Sequence, residues 1–422
     1  MDMLTISNIH GTMVEQFHSA ADHIGLDINI LRILGKSMNE IAINFPVEME
    51  SGDVEILSGY RVQHNNVRGP FIGGLRIHPS VSLSQIKALA SWNTWKATLL
   101  DIPFGGAMGG IVASPADFSG MDLERTIRRY TYAIRSNIDP EYDVITPDIN
   151  SNPRIMAWIL DSYLTEVPID QQNRYRHVVT GKPETLGGLP KYDDLMAKSI
   201  LMLIKTWCDD KGMVLSGLTY ALQGFGKIGS NLARHLDSEG CKLIAIEDSA
   251  GAFRDKDGLE VSELINYKRK FGRISGYPQG ERIQHDDFLQ TGVDILIFAA
   301  LENQVSGSNA KSLNAKLIVE AANCPIDSEG DILLEEKGVD ILPDILCNSG
   351  SLALSYFEWL QNKRSERFEF EELERMLENK MLKAYNLIEN ATEEYETNRR
   401  NAAYIKALTI LERIYKSKGV FP

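Results

Sequence analysis

A chain of 422 residues, 43% hydrophobic and 24% charged, has the composition of a globular protein and is too long for one hydrophobic core, so at least two domains are expected. A formal net charge of −14 argues against nucleic acid or an anionic membrane as the main partner, because both would repel the chain. No apolar run reaches membrane-spanning length, and Met1–Thr5 does not begin a secretory signal. Cys208, Cys241, Cys324 and Cys347 show no paired spacing, and none of the eight histidines sits at metal-ligand spacing. A cytoplasmic protein with reduced cysteines and no metal is the resulting expectation.

In chain order, residues from about Met13 to Ala42 carry apolar positions at helical spacing and predict one or two helices. Glu40–Glu50 and Val54–Gln63 read as strands joined by the turn Ser51-Gly52-Asp53. Ser82–Leu100 is helical, with Ser82 or Ser84 as its cap; Met121–Asn137 and Pro153–Thr165 are two more amphipathic helices. Gln171–Pro190 is polar, rich in Gly and Pro, and reads as a connection between domains. From Leu195 onward, helices alternate with short apolar runs at Leu218–Leu222, Lys242–Ile246, Asp294–Phe298, Leu317–Glu320 and Asp340–Leu342, the signature of a parallel sheet covered by helices. Glu371–Lys418 is almost entirely helix-forming. Its charges are most simply a solvated face.

Pro103–Gly110 stands apart. Four glycines in six positions, Gly105, Gly106, Gly109 and Gly110, can take positive φ and let a ligand approach the main chain, with the short strand Ile111-Val112-Ala113 following. Met108 is the sizeable side chain projecting from this bed. A thioether neither takes nor gives a proton, so Met108 contributes no acid–base chemistry.

A dinucleotide fingerprint lies further on. Tyr220–Gln223 ends a strand and Gly224-Phe225-Gly226-Lys227-Ile228-Gly229 opens a helix, the context in which GxGxxG carries meaning. The first glycine makes the turn, the second lets pyrophosphate meet the backbone, and the third lets helix and strand pack closely, with the phosphates at the helix N-terminus. The next strand ends in Glu247-Asp248. A carboxylate at Asp248 can bond ribose hydroxyls and would repel a 2′-phosphate, which favours NAD over NADP.

Gly69–Arg76, Trp95-Lys96-Ala97, Pro103–Gly110, Thr146-Pro147-Asp148, Thr180–Pro183, Glu320–Asn323 and Ser355–Trp359, taken with the fingerprint, resemble the glutamate/leucine/phenylalanine/valine dehydrogenase family over nearly the whole chain, with the length of its bacterial glutamate enzymes. The resemblance implies an α/β fold of two domains: a substrate and oligomerisation domain at 1–194, a doubly wound Rossmann domain at 195–345 binding NAD(P), and C-terminal helices at 346–422 returning to the first domain. It also implies a cleft between the domains, a homo-hexamer or a hetero-oligomer with a paralogue, and a small amino, imino or keto acid as ligand. Carried over residue by residue, Lys96 holds the ligand's α-carboxylate, with Asn93 one helical turn before it. Asp148 handles the amino group. Gly73, Gly74 and Leu352 join the substrate set, as does Ser355, for which a helix-capping role is an equal alternative. Ala299, Ala300, Asn323 and Asn348 join the cofactor set. Lys96 sits on an apolar helix face beside Trp92 and Trp95, and Asp148 in a Pro-rich turn, which favours a site over a surface charge for both.

The chain departs from the family pattern at the reacting centre. The family lysine that activates water or polarises the carbonyl is Met108 here. The lysine that binds a distal carboxylate in glutamate enzymes is Ile72, which implies an uncharged substrate side chain, since a carboxylate facing Ile72 would be desolvated without a partner. Tyr192 and Met196 stand where arginine and threonine are expected. Two readings follow: an oxidoreductase diverged in substrate or reaction, and a catalytically silent subunit that binds an amino acid beside an active paralogue. A replacement amine from Lys191 is a third, lesser route.

Overall fold

The computed structural model describes residues 8–420. The elements in chain order are α1 (Asn8–His23), α2 (Ile28–Leu34), β1 (Asn39–Glu48), β2 (Val54–Asn65), β3 (Phe71–Ile77), α3 (Leu83–Leu99), β4 (Gly105–Ile111), α4 (Gly120–Ile134), β5 (Asp143–Pro147) and α5 (Pro153–Leu164). After short 3-10 turns come α6 (Tyr192–Asp210), β6 (Thr219–Gln223), α7 (Lys227–Ser238), β7 (Lys242–Asp248), β8 (Gly251–Arg254), α8 (Val261–Phe271), β9 (Glu281–Ile283), α9 (His285–Leu289), β10 (Val293–Phe298), β11 (Ala315–Glu320), α10 (Ser328–Glu336), β12 (Asp340–Leu342) and α11 (Asp344–Cys347). The chain closes with α12 (Gly350–Arg364), α13 (Phe370–Tyr395) and α14 (Arg399–Lys418). One compact unit comprises the chain up to Pro190, Ser351–Met376 and the segment from Tyr404; the other comprises Lys191–Gly350 and Leu377–Ala403.

The first unit is built on a five-stranded mixed sheet in the order β1-β2-β4-β3-β5. β1 and β2 form the expected antiparallel hairpin, closed by Met49 N–H on the Asp53 carbonyl, with Gly52 at φ +87°. The helix expected to reach Ala42 stops sooner. α2 ends at Leu34, Gly35 follows it, and strand β1 has begun by Asn39, because the alternating run Asn39–Glu48 finds a ladder partner in β2. Ser82 caps α3 as anticipated, its hydroxyl accepting from Gln85 N–H at 3.3 Å.

The glycine run is itself a strand. β4 pairs with β2 on one side and β3 on the other, and none of its four glycines has positive φ. Their lack of side chains serves close packing. A Cβ on Gly106 would stand 2.2 Å from the Ala90 carbonyl and 2.3 Å from Thr94 N, and one on Gly110 would strike Val81 and Ile86. By the two-residue period of a strand, Gly106, Met108 and Gly110 face α3. On the opposite face, Ile127, Tyr130 and Ile134 of α4 and Ile155 and Ile159 of α5 pack with Leu75, Ile111 and Ile145 into one buried cluster.

The second unit carries a seven-stranded sheet in the order β12-β11-β10-β6-β7-β8-β9. β12 to β7 are parallel and match the five apolar runs read from the sequence. This is the doubly wound arrangement, with the strand order reversing between β6 and β10. β8 and β9 add an antiparallel edge that the sequence does not announce, because both are short and β9 is mostly exposed.

The C-terminal helices do not all belong with the first unit. Trp359 of α12 donates from Nε1 to the Pro140 carbonyl at 2.8 Å, and Tyr415 of α14 accepts from Asn65 Nδ2 at 2.7 Å. Leu377–Ala403, however, groups with the second unit, where Tyr385 hydrogen-bonds Asp210 at 2.6 Å. An expectation that 346–422 as a whole returns to the first domain is corrected to that extent. Among the described residues, no helix is long and apolar enough to cross a membrane.

Candidate functional site

In the first unit, Gly73, Gly74, Asn93 and Asp148 come together around β3 and β4. Gly73 lies so close to β4 that a Cβ there would fall 1.6 Å from the Ala107 carbonyl and 2.9 Å from Asn93 Nδ2. Asn93 itself donates to the Ala107 carbonyl at 2.8 Å, which ties α3 to the strand beside Met108. Gly74 faces the turn after β5, where its missing Cβ makes room for the Cβ of Asp148 at 2.7 Å. That turn is held by Ser151, whose hydroxyl bonds both Asp148 N–H and the Asp148 carbonyl, and by Asn150 in the left-handed region at φ +59°. Asp148 accepts a charge-assisted hydrogen bond from Arg76 Nε at 2.7 Å.

Lys96 is 5% exposed on α3, whose residues are nearly all buried, and Ile72 is 0% exposed in β3. Met108 is 1% exposed: it is an interior side chain, not one standing proud of a glycine floor. Ser355 lies inside α12, which begins at Gly350, so it is not a cap; like Leu352 it is buried on that helix.

Beneath the Gly73-Gly74 pair runs a residue that no sequence motif singles out. Arg61 of β2 lies opposite Gly109 in the ladder and passes over that side-chain-free position. Its Nη1 donates to the Gly73 and Gly74 carbonyls, both at 3.1 Å, and its Nε to Asp143 Oδ2 at 2.9 Å. Gln63 adds a bond to the same carboxylate at 2.7 Å. Burial opposes the charge on Arg61, but Asp143 outweighs it and holds the guanidinium above the usual arginine value. In the sequence Arg61 is one polar residue among several in Val54–Asn65. Its partner is 82 residues away. A second buried pair, Lys182 with Glu358 at 2.7 Å, anchors the Thr180–Pro183 turn, and Glu358 also accepts from Gly181 N–H at 2.9 Å.

In the second unit, the fingerprint residues come together at the carboxyl ends of β6 and β10. Gly224 has φ +96°, and a Cβ on it would lie 2.5 Å from the Ala299 carbonyl and 2.9 Å from the Ala300 side chain. Ala299 N–H donates to the Gln223 carbonyl at 2.7 Å, fixing the two strand ends side by side. Gly229 is packed against the Gly224 carbonyl, where a Cβ would sit at 1.9 Å. A Cβ on Gly226, immediately before α7, would meet nothing within 4 Å, which is the open cradle a pyrophosphate needs. The residues present therefore fit a dinucleotide. Phe225 is buried and its carbonyl accepts from Lys268 Nζ; Lys227 and Ile228 open the helix.

Asp248 ends β7 and accepts Ala250 N–H at 2.8 Å through Oδ1. The neighbouring Glu247 is bonded by Gln223 Nε2 at 2.9 Å and by His285 Nδ1 at 3.0 Å. On the other side of the strand reversal, Asn348 Nδ2 donates to Asn323 Oδ1 at 2.7 Å. Behind these asparagines, Arg400 bonds Glu320 through both terminal nitrogens at 2.8 Å. Burial pushes the Glu320 carboxyl up to about 7; Arg400 opposes the rise and Asp344 and Asp331 add to it. Tyr192 begins α6 and Met196 is buried on it. Among the described residues, no cluster of His, Cys, Asp and Glu could hold a metal ion.

Residues 187–419 match the family model described as glutamate/leucine/phenylalanine/valine dehydrogenase, and residues 37–165 match the model of that family's dimerisation domain. A glutamate dehydrogenase of Thermotoga maritima is 38% identical over 416 residues, covering 98% of this chain and 99% of that one. NAD-specific glutamate dehydrogenase A of Halobacterium salinarum is 36% identical, covering 97% and 93%. Among solved structures, a hetero-hexameric glutamate dehydrogenase from Thermus thermophilus in its Leu-bound form superposes with a TM-score of 0.93 at 32% identity, covering 98% of each chain.

Proposed function

Because the chain belongs to the glutamate/leucine/phenylalanine/valine dehydrogenase family, we propose that it binds a nicotinamide dinucleotide and an amino acid with an uncharged side chain, and that it does so as a subunit without appreciable turnover of its own. The observation that carries this is Met108, a thioether enclosed in β4 where the resemblance places a lysine. Loss of a positioned proton-transfer group costs about 10²–10⁴ in rate. Ile72 supports the uncharged side chain, since a carboxylate held against it would be buried without a partner.

Lys96 would hold the α-carboxylate and Asp148, oriented by Arg76, would receive the amino group. Gly224, Gly226 and the start of α7 would hold the pyrophosphate, and Asp248 a ribose, with NAD preferred over NADP. The dinucleotide supplies hydride transfer when bound. Likeness to a hetero-hexameric relative in a Leu-bound form supports assembly with a catalytically complete paralogue, in a hexamer.

A second reading, a diverged oxidoreductase with altered chemistry, is favoured by the complete packing around Gly224 and Gly229, and differs only in turnover. The test is nicotinamide absorbance with NAD⁺ or NADP⁺ and each standard amino acid, for the natural chain and Met108→Lys, alongside calorimetric titration with leucine, glutamate and NADH. Binding without turnover in the natural chain supports the first reading, and activity gained in Met108→Lys would locate the loss at that one residue. Turnover by the natural chain selects the second. Binding of neither amino acid nor NADH would sink both.

A further inference from the structure

We propose that Arg400 is a positioning residue for the nicotinamide half of the dinucleotide site, an inference that rests on the reading of the second unit as a dinucleotide binder. Three carboxylates converge on this one guanidinium: Glu320 at 2.8 Å, Asp331 at 3.0 Å and Asp344 at 3.4 Å. Arg400, Glu320 and Asp344 are 4%, 0% and 2% exposed. Such a cluster is costly to bury and depends on the pairing of the two terminal nitrogens, since Nε is buried without a hydrogen-bond partner.

What the cluster holds is the backbone carrying two asparagines. Glu320 Oε2 accepts Asp344 N–H at 2.7 Å, and Asp344 Oδ2 accepts Cys324 N–H at 2.8 Å. Cys324 is kept in the left-handed region, at φ +44°, which a side-chain-bearing residue rarely adopts unless its surroundings impose it. Asn323 is the residue before it. Asn348 closes the single turn that Asp344 begins, its N–H returning to the Asp344 carbonyl at 3.0 Å. Each asparagine is therefore one peptide or one helical turn from the Arg400 cluster, and the two meet each other at 2.7 Å.

Their place in the sheet says which part of the ligand they face. A ligand of a doubly wound sheet lies across the carboxyl ends of its strands at the point where the order reverses. The fingerprint and Asp248 occupy the β6–β7 side, which takes the adenosine half; the asparagines follow β11 and β12 on the other side, which is left for the nicotinamide half. Arg400 touches neither half and acts through Glu320 and Asp344.

The experiment compares the affinities of the full chain for NADH and for ADP-ribose, which keeps the adenosine and pyrophosphate and lacks nicotinamide. Natural chain, Arg400→Lys and Glu320→Gln are titrated side by side. Both variants are expected to weaken NADH binding roughly tenfold while ADP-ribose affinity stays within about twofold, as for a misplaced hydrogen-bonding pair. Equal weakening for both ligands, or unchanged NADH affinity, overturns the inference, as does failure of both variants to fold, which would make the cluster structural alone. If Arg400→Lys alone fails to fold, the isosteric Glu320→Gln decides. A natural chain that binds neither ligand overturns the reading of the unit itself, and that outcome is distinct from the others.

Discussion

Arg76 and Asp148 meet through a charge-assisted hydrogen bond, Nε to Oδ1 at 2.7 Å, with the arginine side chain 3% exposed and the aspartate 20%. The two come from neighbouring parallel strands, β3 and the turn after β5, and Gly74 between them has no side chain to hold them apart. A carboxylate so placed is fixed in direction before any ligand arrives.

Asp148→Asn removes one charged partner of a buried guanidinium. The expected cost is about 1–3 kcal/mol of stability, read as a lower thermal midpoint. Leucine affinity should fall roughly tenfold in the same variant, with NADH affinity unchanged. Equal losses for both ligands would mean that Asp148 supports the fold and not the amino acid.

The glycines of β4 are predicted to be packing residues. Gly106→Ala would drive a methyl into the backbone of α3 at Ala90 and Thr94, and should cost about 3 kcal/mol or more by urea unfolding. Gly120→Ala, where nothing lies within 4 Å of the added carbon at the start of α4, should be neutral or stabilise by up to about 1 kcal/mol.

Within the fingerprint the same contrast separates fold from ligand. Gly226→Ala should leave the thermal midpoint within about 2 °C of the natural chain, since its Cβ meets nothing, while weakening NADH binding by about tenfold or more where pyrophosphate approaches. Gly224→Ala should lower stability itself, because φ is +96° and the Ala299 carbonyl stands in the way.

His64 makes stability fall in acid. It is fully enclosed, with Nδ1 2.8 Å from Thr94 Oγ1 and Nε2 2.9 Å from the Leu34 carbonyl, and its ring meets Trp95 edge-on. Burial pulls its pKa from 6.5 down to about 4, against a small opposing effect of the Leu34 carbonyl. The folded value is the lower one, so its contribution is complete above pH 6.5 and is lost as pH falls from 6.5 toward 4. The gap corresponds to about 3 kcal/mol. Urea midpoints between pH 7 and 4 should drop less steeply in His64→Gln. Parallel profiles would show that other groups carry the acid sensitivity.

Much of this was legible along the chain because it is encoded in neighbours. Gly224–Gly229 sits between an apolar strand and a helix; Ser82 stands three residues before Gln85, whose N–H it caps; Leu218–Leu222 and the four apolar runs after it announce buried parallel strands. Periodicity failed at β4, since glycine has no side chain to alternate, and a segment that reads as a glycine bed open to a ligand is the strand that carries Met108. The helix that overran into β1 failed for another reason: an isolated apolar period does not say where a partner strand will compete for the backbone.

By itself, then, the sequence determined the GxGxxG fingerprint between strand and helix, and its family resemblance supplied the proposed roles of Lys96 and Met108. Tertiary structure alone decided how those groups are held. Arg61 reaches Asp143 across 82 residues, and Arg400 reaches Glu320 across 80, pairings that no local motif announces. Buried charges are stable only with partners, and the partners of a buried charge are chosen by the fold, not by the neighbouring residues in the chain.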